Sequence, residues 1–211
     1  MDKTGVLTVI SGFSGVGKGT LVKKLLRKYP DVYALSISAT TRAPRPGEEN
    51  GREYFFISRR SFLYKIRKGK LYEHAEYNGN FYGTPVEPVD RMRAEGKNVI
   101  LEIEVQGGLQ IKERFPETFL LFIVPPDART LEKRLRGRGT ETPEQIAGRL
   151  ARAVEEASVI PDYDDILVNG DLETAVDLMH RMITEGVRSG SDLPETAVRL
   201  ENELKTLTEE D

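Results

Sequence analysis

Apolar residues in this chain fall in short runs whose spacing switches between two periods. Val6–Ser11 is apolar and β-branched and stops at Gly12, which predicts a buried parallel strand. From Lys18 the spacing changes. Leu21, Val22, Leu25, Leu26 and Tyr29 recur at helical intervals, and Pro30 ends the run. A strand, a glycine-rich turn and a helix therefore follow one another directly. Asn98–Val105 and Phe119–Pro126 predict two more core strands, with helices near Gln106–Phe115 and Ala128–Arg136. Asp165–Gly170 reads as a last strand and Leu172–Glu185 as a helix behind it. Strands alternating with helices imply an α/β fold with a parallel sheet flanked by helices.

Residues 36–95 break that rhythm. Tyr54–Ser58 and Glu73–Pro85 read as short antiparallel strands, and Asn78-Gly79 supplies the residues of a tight hairpin turn. This segment is expected to be an inserted lobe in a core formed by residues 1–35 and 96–187. A second polar interruption, Gly137–Thr142, separates two helices and suggests a lid spanning about 136–149. The acidic tail 188–211 has weak helical spacing at Leu193, Val198, Leu200, Leu204 and Leu207, which suits either an extra helix or a partly frayed end.

Composition narrows the function classes. A chain of 211 residues suits one large domain, and 38% hydrophobic with 31% charged residues excludes a disordered chain. The apolar run near the N-terminus is too short for a signal peptide or a membrane span. With no cysteine there is no disulfide framework and no thiolate metal site, and a cytoplasmic protein is expected. A net charge of −3 argues against a general nucleic-acid binder. The charge is uneven, however. Arg129–Arg152 carries seven basic residues against three acidic ones, which suggests a small anionic ligand.

Three segments carry candidate chemistry. The first is ISGFSGVGKGT, Ile10–Thr20. Gly12, Gly17 and Lys18 match the phosphate-loop pattern G-x-x-x-x-G-K, but Gly19 stands where a metal-binding hydroxyl belongs and Thr20 comes one place late. Backbone N–H groups of such a turn point inward at a helix N-terminus, where the helix dipole also favours an anion. The second is Leu101–Glu104. Glu102 and Glu104 lie two apart at the expected end of a strand, so they should face the same side and could support Mg²⁺ through water. The third is Ser36–Tyr54, where Arg42 and Arg45 lie beside Pro44 and Pro46. Two guanidinium forks with Tyr54 could form a separate phosphate site.

Together TTRAPRPGEENGREYFF, EHAEYNGNFYGTP, LEIEVQG and RLRGRGTE resemble segments of the guanylate kinases, in that family's order and over about residues 5–187. The resemblance implies a P-loop NTPase-like core carrying ATP, a mixed α/β lobe carrying GMP, and an arginine-bearing lid. It implies transfer of a phosphoryl group from ATP to GMP with Mg²⁺, in purine nucleotide metabolism and GMP recycling. ATP would lie on Gly12, Phe13, Ser14, Gly15, Val16, Gly17, Lys18, Gly19 and Thr20. The GMP phosphate would be held by Arg42, Arg45, Tyr54 and Tyr82, and the base by Ser38, Glu73, Gly83, Thr84 and Glu104. Lys18, Arg42, Arg134, Arg138 and Arg149 would carry catalysis. A carboxylate at Glu73 can accept from guanine N1–H and the 2-amino group, neither of which adenine offers.

The chain departs from that family at two places. Glu104 stands where Asp is more frequent, which leaves its contact to the base open. Phe13 stands where Pro is usual, with an expected effect on loop stiffness alone. One step around a helix turns a side chain by about 100°, so Thr20 does not simply replace residue 19. Mg²⁺ is therefore expected on the ATP phosphates and water, with Glu102 helping through water and Thr20 as a water-mediated partner. His74 and His180 are read as structural. The partners implied are ATP and GMP, with no nucleic acid and no membrane, as monomer or homodimer. Two other readings are a peptide-binding scaffold domain of the same fold and a kinase acting on another phosphorylated acceptor, such as a sugar phosphate. The lobe and lid are expected to close on the nucleotides.

Overall fold

The computed structural model describes residues 4–137, 139 and 141–210. Strand β1 (Leu7–Gly12) is buried along its whole length and lies at the centre of a five-stranded sheet. Its neighbours are β7 (Asn98–Glu102) and β8 (Phe119–Val124), with β2 (Tyr33–Leu35) beyond β7 and β9 (Asp165–Val168) beyond β8. Every pairing is parallel, and Val9 lies opposite both Leu101 and Leu120. Strands covered on both faces need apolar residues throughout, which is why these segments read as continuous runs. Helix α1 (Lys18–Lys28) packs against α7 (Leu172–Glu185), and both α1 and α4 (Val105–Arg114) pack on the sheet.

The segment after β2 forms a second, four-stranded sheet, ordered β4 (Phe55–Phe56), β3 (Ala39–Thr40), β6 (Asn80–Pro85) and β5 (Leu71–Tyr77). It has its own small core of Ala39, Phe62 and Leu71, with Phe62 supplied by α2 (Arg59–Arg67). Asn78 at φ 48° and Gly79 at φ 74° close the β5–β6 hairpin, as a turn with two left-handed residues requires. One expectation fails here. β4 runs parallel to β3, not antiparallel, because the chain makes a long excursion through residues 41–54 before it returns. Helix α3 (Val86–Ala94) follows β6 and leads back to β7.

Helices α5 (Ala128–Arg136) and α6 (Pro143–Ala157) flank the polar interruption 137–142. Thr142 closes it with a capping box. Its hydroxyl accepts from the Gln145 amide at 3.3 Å, and Gln145 Oε1 accepts from the Thr142 amide at 2.9 Å. Arg138 and Thr140 lie outside the described residues. The acidic tail forms helix α8 (Leu193–Glu210), which docks on α5 and α6 through Ala197, Leu200, Leu204 and Leu207. Val198, expected on the apolar stripe, is 57% exposed, and Ala197 takes its place. Glu203 Oε2 accepts from the Ala128 amide at 2.9 Å, so α8 caps the first turn of α5. Among the described residues, no helix is long and apolar enough to cross a membrane.

Candidate active site at the carboxyl ends of the strands

The chain leaves β1 at Gly12 and enters α1 at Lys18, so the glycine loop sits at the carboxyl edge of the sheet. Ligands bind at this edge in open α/β sheets. Gly17 is the N-cap of α1, with φ 101°, and a Cβ there would come within 2.7 Å of Asn169 Nδ2. Only glycine meets both conditions. The loop is pinned at one carbonyl. Val16 O accepts from Asn169 Nδ2 at 2.8 Å and from Arg134 Nη1 at 3.0 Å, while Arg134 Nη2 reaches Asn169 O at 2.8 Å. Asn169 is buried, follows β9, and was not singled out in the sequence, where its only signal is its position just after an apolar strand.

The loop faces two ways. Val16 and Phe13 are fully buried, and the Phe13 ring meets Phe122 of β8 edge-on at 5.2 Å. Phe13 is thus a core anchor for the loop, where a change in stiffness alone was expected. Its side chain and that of Val16 are buried in the core, so at these two positions the loop presents only backbone groups. The Lys18 ammonium donates to Gly12 O and, at 3.2 Å, to Phe13 O. Ser14 Oγ accepts from Arg149 Nη1 at 2.5 Å, and Arg149 Nη2 also pairs with Glu141 at 3.2 Å.

Glu102 ends β7 and faces the first turn of α1. A Cβ built at Gly19 would stand 3.5 Å from its Oε1. Water reaches this carboxylate, but the surrounding protein raises its pKa above the ordinary glutamate value, with Lys18 and Lys23 pulling the other way. An acidic oxygen therefore lies beside the position whose hydroxyl is missing. Among the described residues no group of three His, Cys, Asp or Glu side chains could hold a metal ion. The oxygen donors near position 19, Glu102 with the exposed Thr20 hydroxyl, suit a hard cation that keeps most of its water.

Glu104 does not share a face with Glu102. β7 ends at Glu102, and Glu104 is already the N-cap of α4. Its exposed carboxylate turns to Arg152 of α6 at 3.4 Å, and the same guanidinium reaches Glu156 at 3.1 Å. The strand ends early because a run compatible with a helix begins at Val105. Glu102 and Glu104, expected on one strand face, therefore point from a strand end and a helix cap.

Glu73 is the buried carboxylate of the lobe. Thr84 Oγ1 donates to its Oε1 at 2.7 Å, across the β5–β6 pair. Burial raises its pKa above the usual glutamate value, and the Thr84 hydroxyl and amide partly offset that. Gly107 in the first turn of α4 leaves room for it, since a Cβ there would come within 3.1 Å of Glu73 Oε2. Gly83 is buried on β6 beside Thr84, and Ser38 lies half-buried between β2 and β3.

Arg42 has its guanidinium over the rings of Tyr54 and Phe56, at 5.4 and 5.7 Å. Tyr54 meets Tyr82 edge-on at 6.0 Å. Glu48, which lies in the same segment but was given no role from the sequence, takes both ends of the Arg42 fork at 2.9 Å. Arg45 contributes its amide to the same carboxylate, and its exposed guanidinium has no ion-pair partner among the described residues. Arg42, Arg45, Tyr54 and Tyr82 are thus placed in one lobe, with Tyr54 between Arg42 and Tyr82. Of the two histidines, His74 follows Glu73 on β5 and lies opposite Gly83 of β6, whereas His180 lies outside the lobe. His180 stacks on Tyr29 at 3.9 Å and shares a hydrogen bond with Tyr33 at 2.8 Å, which makes it a packing residue between α1 and α7.

The family model described as guanylate kinase matches residues 4–186. A guanylate kinase of Trichormus variabilis is 51% identical over 82% of this chain and 86% of that protein. One from Streptococcus thermophilus is 46% identical over 87% of this chain and 88% of its own length. The crystal structure of guanylate kinase from Anaplasma phagocytophilum superposes with a TM-score of 0.64 at 32% identity, covering 88% of this chain and 87% of that one. The phosphate loop, the buried carboxylate of the lobe and the arginine-bearing helices therefore belong to a chain that is a member of the guanylate kinase family.

Proposed function

We propose that this chain transfers the γ-phosphoryl group of ATP to the phosphate of GMP, giving ADP and GDP. The observation that carries the reading is Glu73, a buried carboxylate held by Thr84 in a chain that also presents a phosphate loop and a separate arginine–tyrosine cluster. A non-bridging oxygen of the GMP phosphate attacks the γ-phosphorus. The bond from γ-phosphorus to the β–γ bridging oxygen breaks, and ADP leaves with the electron pair. The attacking oxygen is already anionic, so no strong base is needed, and positioning with charge neutralisation supplies most of the rate.

In this reading the loop amides from Gly12 to Thr20 and the Lys18 ammonium hold the ATP phosphates. Arg42, Arg45, Tyr54 and Tyr82 hold the acceptor phosphate. Glu73 accepts from guanine N1–H and the 2-amino group, with Thr84, Ser38, Gly83 and Glu104 around the base. Adenine would leave the Glu73 carboxylate buried without those donors, which supports discrimination on the order of 10⁴. Arg149 and Arg134 bring positive charge to the phosphate loop, and the family resemblance gives Arg138 the same task of neutralising the transferring group. Mg²⁺ would supply charge neutralisation on the ATP phosphates, and Glu102 and Thr20 are the residues that would help hold it through water. Residues 36–95 act as the GMP lobe and about 136–149 as the lid, which close on the two nucleotides to exclude water. The inferred compartment is the cytoplasm, in keeping with a chain without cysteine.

A coupled assay across nucleoside monophosphates tests this. GMP should be turned over far faster than AMP, UMP or CMP. Comparable turnover of AMP, or activity on a ribose phosphate without activity on GMP, would overturn it.

A further inference from the structure

An arginine carries five N–H donors. In Arg42 three are committed inside the lobe. Nη1 donates to Glu48 Oε2 at 2.9 Å and to Ala43 O at 2.8 Å, and Nη2 donates to Glu48 Oε1 at 2.9 Å. The end of the fork is thus filled by a carboxylate of this chain. What remains is the side edge, Nε–H with the second Nη2 proton, which is itself a bidentate pair suited to a phosphate, with the Tyr82 hydroxyl also within reach of the guanidinium.

Glu48 is built into its loop. Its Oε2 also accepts from the Arg45 amide at 2.7 Å, and its own amide donates to Arg45 O at 3.0 Å, so the carboxylate closes the turn from 45 to 48. The side chains of Arg42 and Glu48 are only 15% and 18% exposed. The guanidinium is held by a carboxylate in its plane and by two aromatic rings, Tyr54 and Phe56, beside it. The charges then divide in a definite way. Arg42 and Glu48 cancel, and the guanidinium of Arg45 supplies the net positive charge of the cluster.

We infer that Glu48 is a positioning residue of the acceptor-phosphate site, holding Arg42 so that its Nε–Nη2 edge meets the phosphate of GMP. This rests on the reading of Arg42, Arg45, Tyr54 and Tyr82 as that site. Glu48 itself does not touch the nucleotide. A carboxylate placed near an anion site would repel a phosphate if it were free. Bound to the fork, it instead removes the rotamer freedom that Arg42 would otherwise lose on binding.

The test is calorimetric binding of GMP and of guanosine to the wild-type protein and to E48A, E48D and E48Q, with thermal melts of each. Guanosine has the base and sugar but no phosphate. Loss of positioning should weaken GMP binding in E48A by on the order of 10- to 100-fold and leave guanosine binding within about twofold. E48D should recover part of the loss. KM for GMP should rise in step while KM for ATP stays put. Equal weakening of GMP and guanosine would make Glu48 a structural residue only and overturn the inference. Tighter GMP binding in E48A would make it a competitor of the phosphate, and unchanged binding would make it irrelevant; both also overturn it. If the wild-type protein showed no preference for GMP over guanosine, the phosphate-site reading would fall and the inference with it. A wild-type preference that survives E48A intact removes the inference alone.

Discussion

Thr84 Oγ1 donates to Glu73 Oε1 at 2.7 Å, with both side chains buried in the lobe. One hydroxyl is a poor substitute for the water a carboxylate loses, so the fold favours the protonated form and raises the Glu73 pKa. The stability that goes with a raised pKa is fully present below the unfolded value, about 4.3, and is lost as pH rises through the folded one. Guanine donors need the carboxylate. GMP binding should therefore release a proton near the raised pKa and tighten as pH climbs through it. Calorimetry of guanosine, which carries no titrating phosphate, in buffers of different ionisation enthalpy reads this, and heats that ignore the buffer just above the ordinary glutamate range would refute it.

Replacing Glu73 by Gln should cost far more than replacing Thr84 by Ala. A glutamine amide keeps one acceptor oxygen but turns an NH₂ toward the second guanine donor, so kcat/KM for GMP should fall by on the order of 10³ or more and the preference over AMP should shrink. Thr84→Ala removes one hydrogen bond to a charged group, worth about 10-fold. A Glu73→Gln enzyme that kept its full GMP preference would place base recognition elsewhere.

The contact of Glu102 with position 19 makes a paired prediction about Mg²⁺. Gly19→Ser should alter the Mg²⁺ concentration for half-maximal rate little, because an acidic oxygen already serves that side of the helix. Glu102→Gln should raise it by several-fold, on the order of 1 kcal/mol of lost charge-assisted bonding. The reverse pattern in a metal titration would show that the missing hydroxyl matters after all.

Arg134 and Arg149 should separate in kinetics. Arg134 holds the carbonyls of Val16 and Asn169, so Arg134→Ala should raise KM for ATP and lower the melting temperature. Arg149 ends on the Ser14 hydroxyl and on Glu141. Arg149→Ala should lower kcat by roughly 10²-fold with little change in stability, as loss of a charge-stabilising donor does. Identical profiles for the two variants would contradict this division.

Removal of α8 should destabilise the protein. Leu200, Leu204 and Leu207 are buried by its docking, each worth about 1.5–3 kcal/mol as an upper estimate, and Glu203 caps α5. A chain ending near residue 190 should unfold at lower denaturant than the full chain. Glu203→Ala should cost about 0.5–2 kcal/mol on its own. Unchanged chemical denaturation would mean that α8 adds nothing to the fold.

The strand–loop–helix unit was legible because its signals are local. An apolar run, glycines at fixed offsets and a helical repeat all occur within Leu7–Lys28. The α7 boundaries at Leu172 and Glu185 were likewise readable from spacing. Long-range choices were not. Whether β4 runs with or against β3 depends on the path of residues 41–54, which no periodicity encodes. Glu104 looked like a strand residue because alternation continues through Ile103 and Val105, yet α4 claims it as a cap. Of the site, the chemically marked residues stood out, while Glu48 and Asn169 stayed hidden. Their importance lies in what they hold, Arg42 and Val16, and those contacts exist only once the chain has folded.

The knot at Val16 O has a bearing on when the protein can first recognise a nucleotide. Its donors, Asn169 and Arg134, lie 153 and 118 residues downstream. A chain stopped before β9 would contain every residue of the glycine loop and Arg134, but lack Asn169, which both holds Val16 O and receives Arg134 at its own carbonyl. Affinity for ATP should therefore arrive last in folding, with the docking of the final strand, and in a solution of nucleotide only finished molecules gain the added stability of the bound state. In refolding experiments a nucleotide fluorophore should report on the final kinetic phase; binding in an early phase, alongside the first helix, would disprove that order.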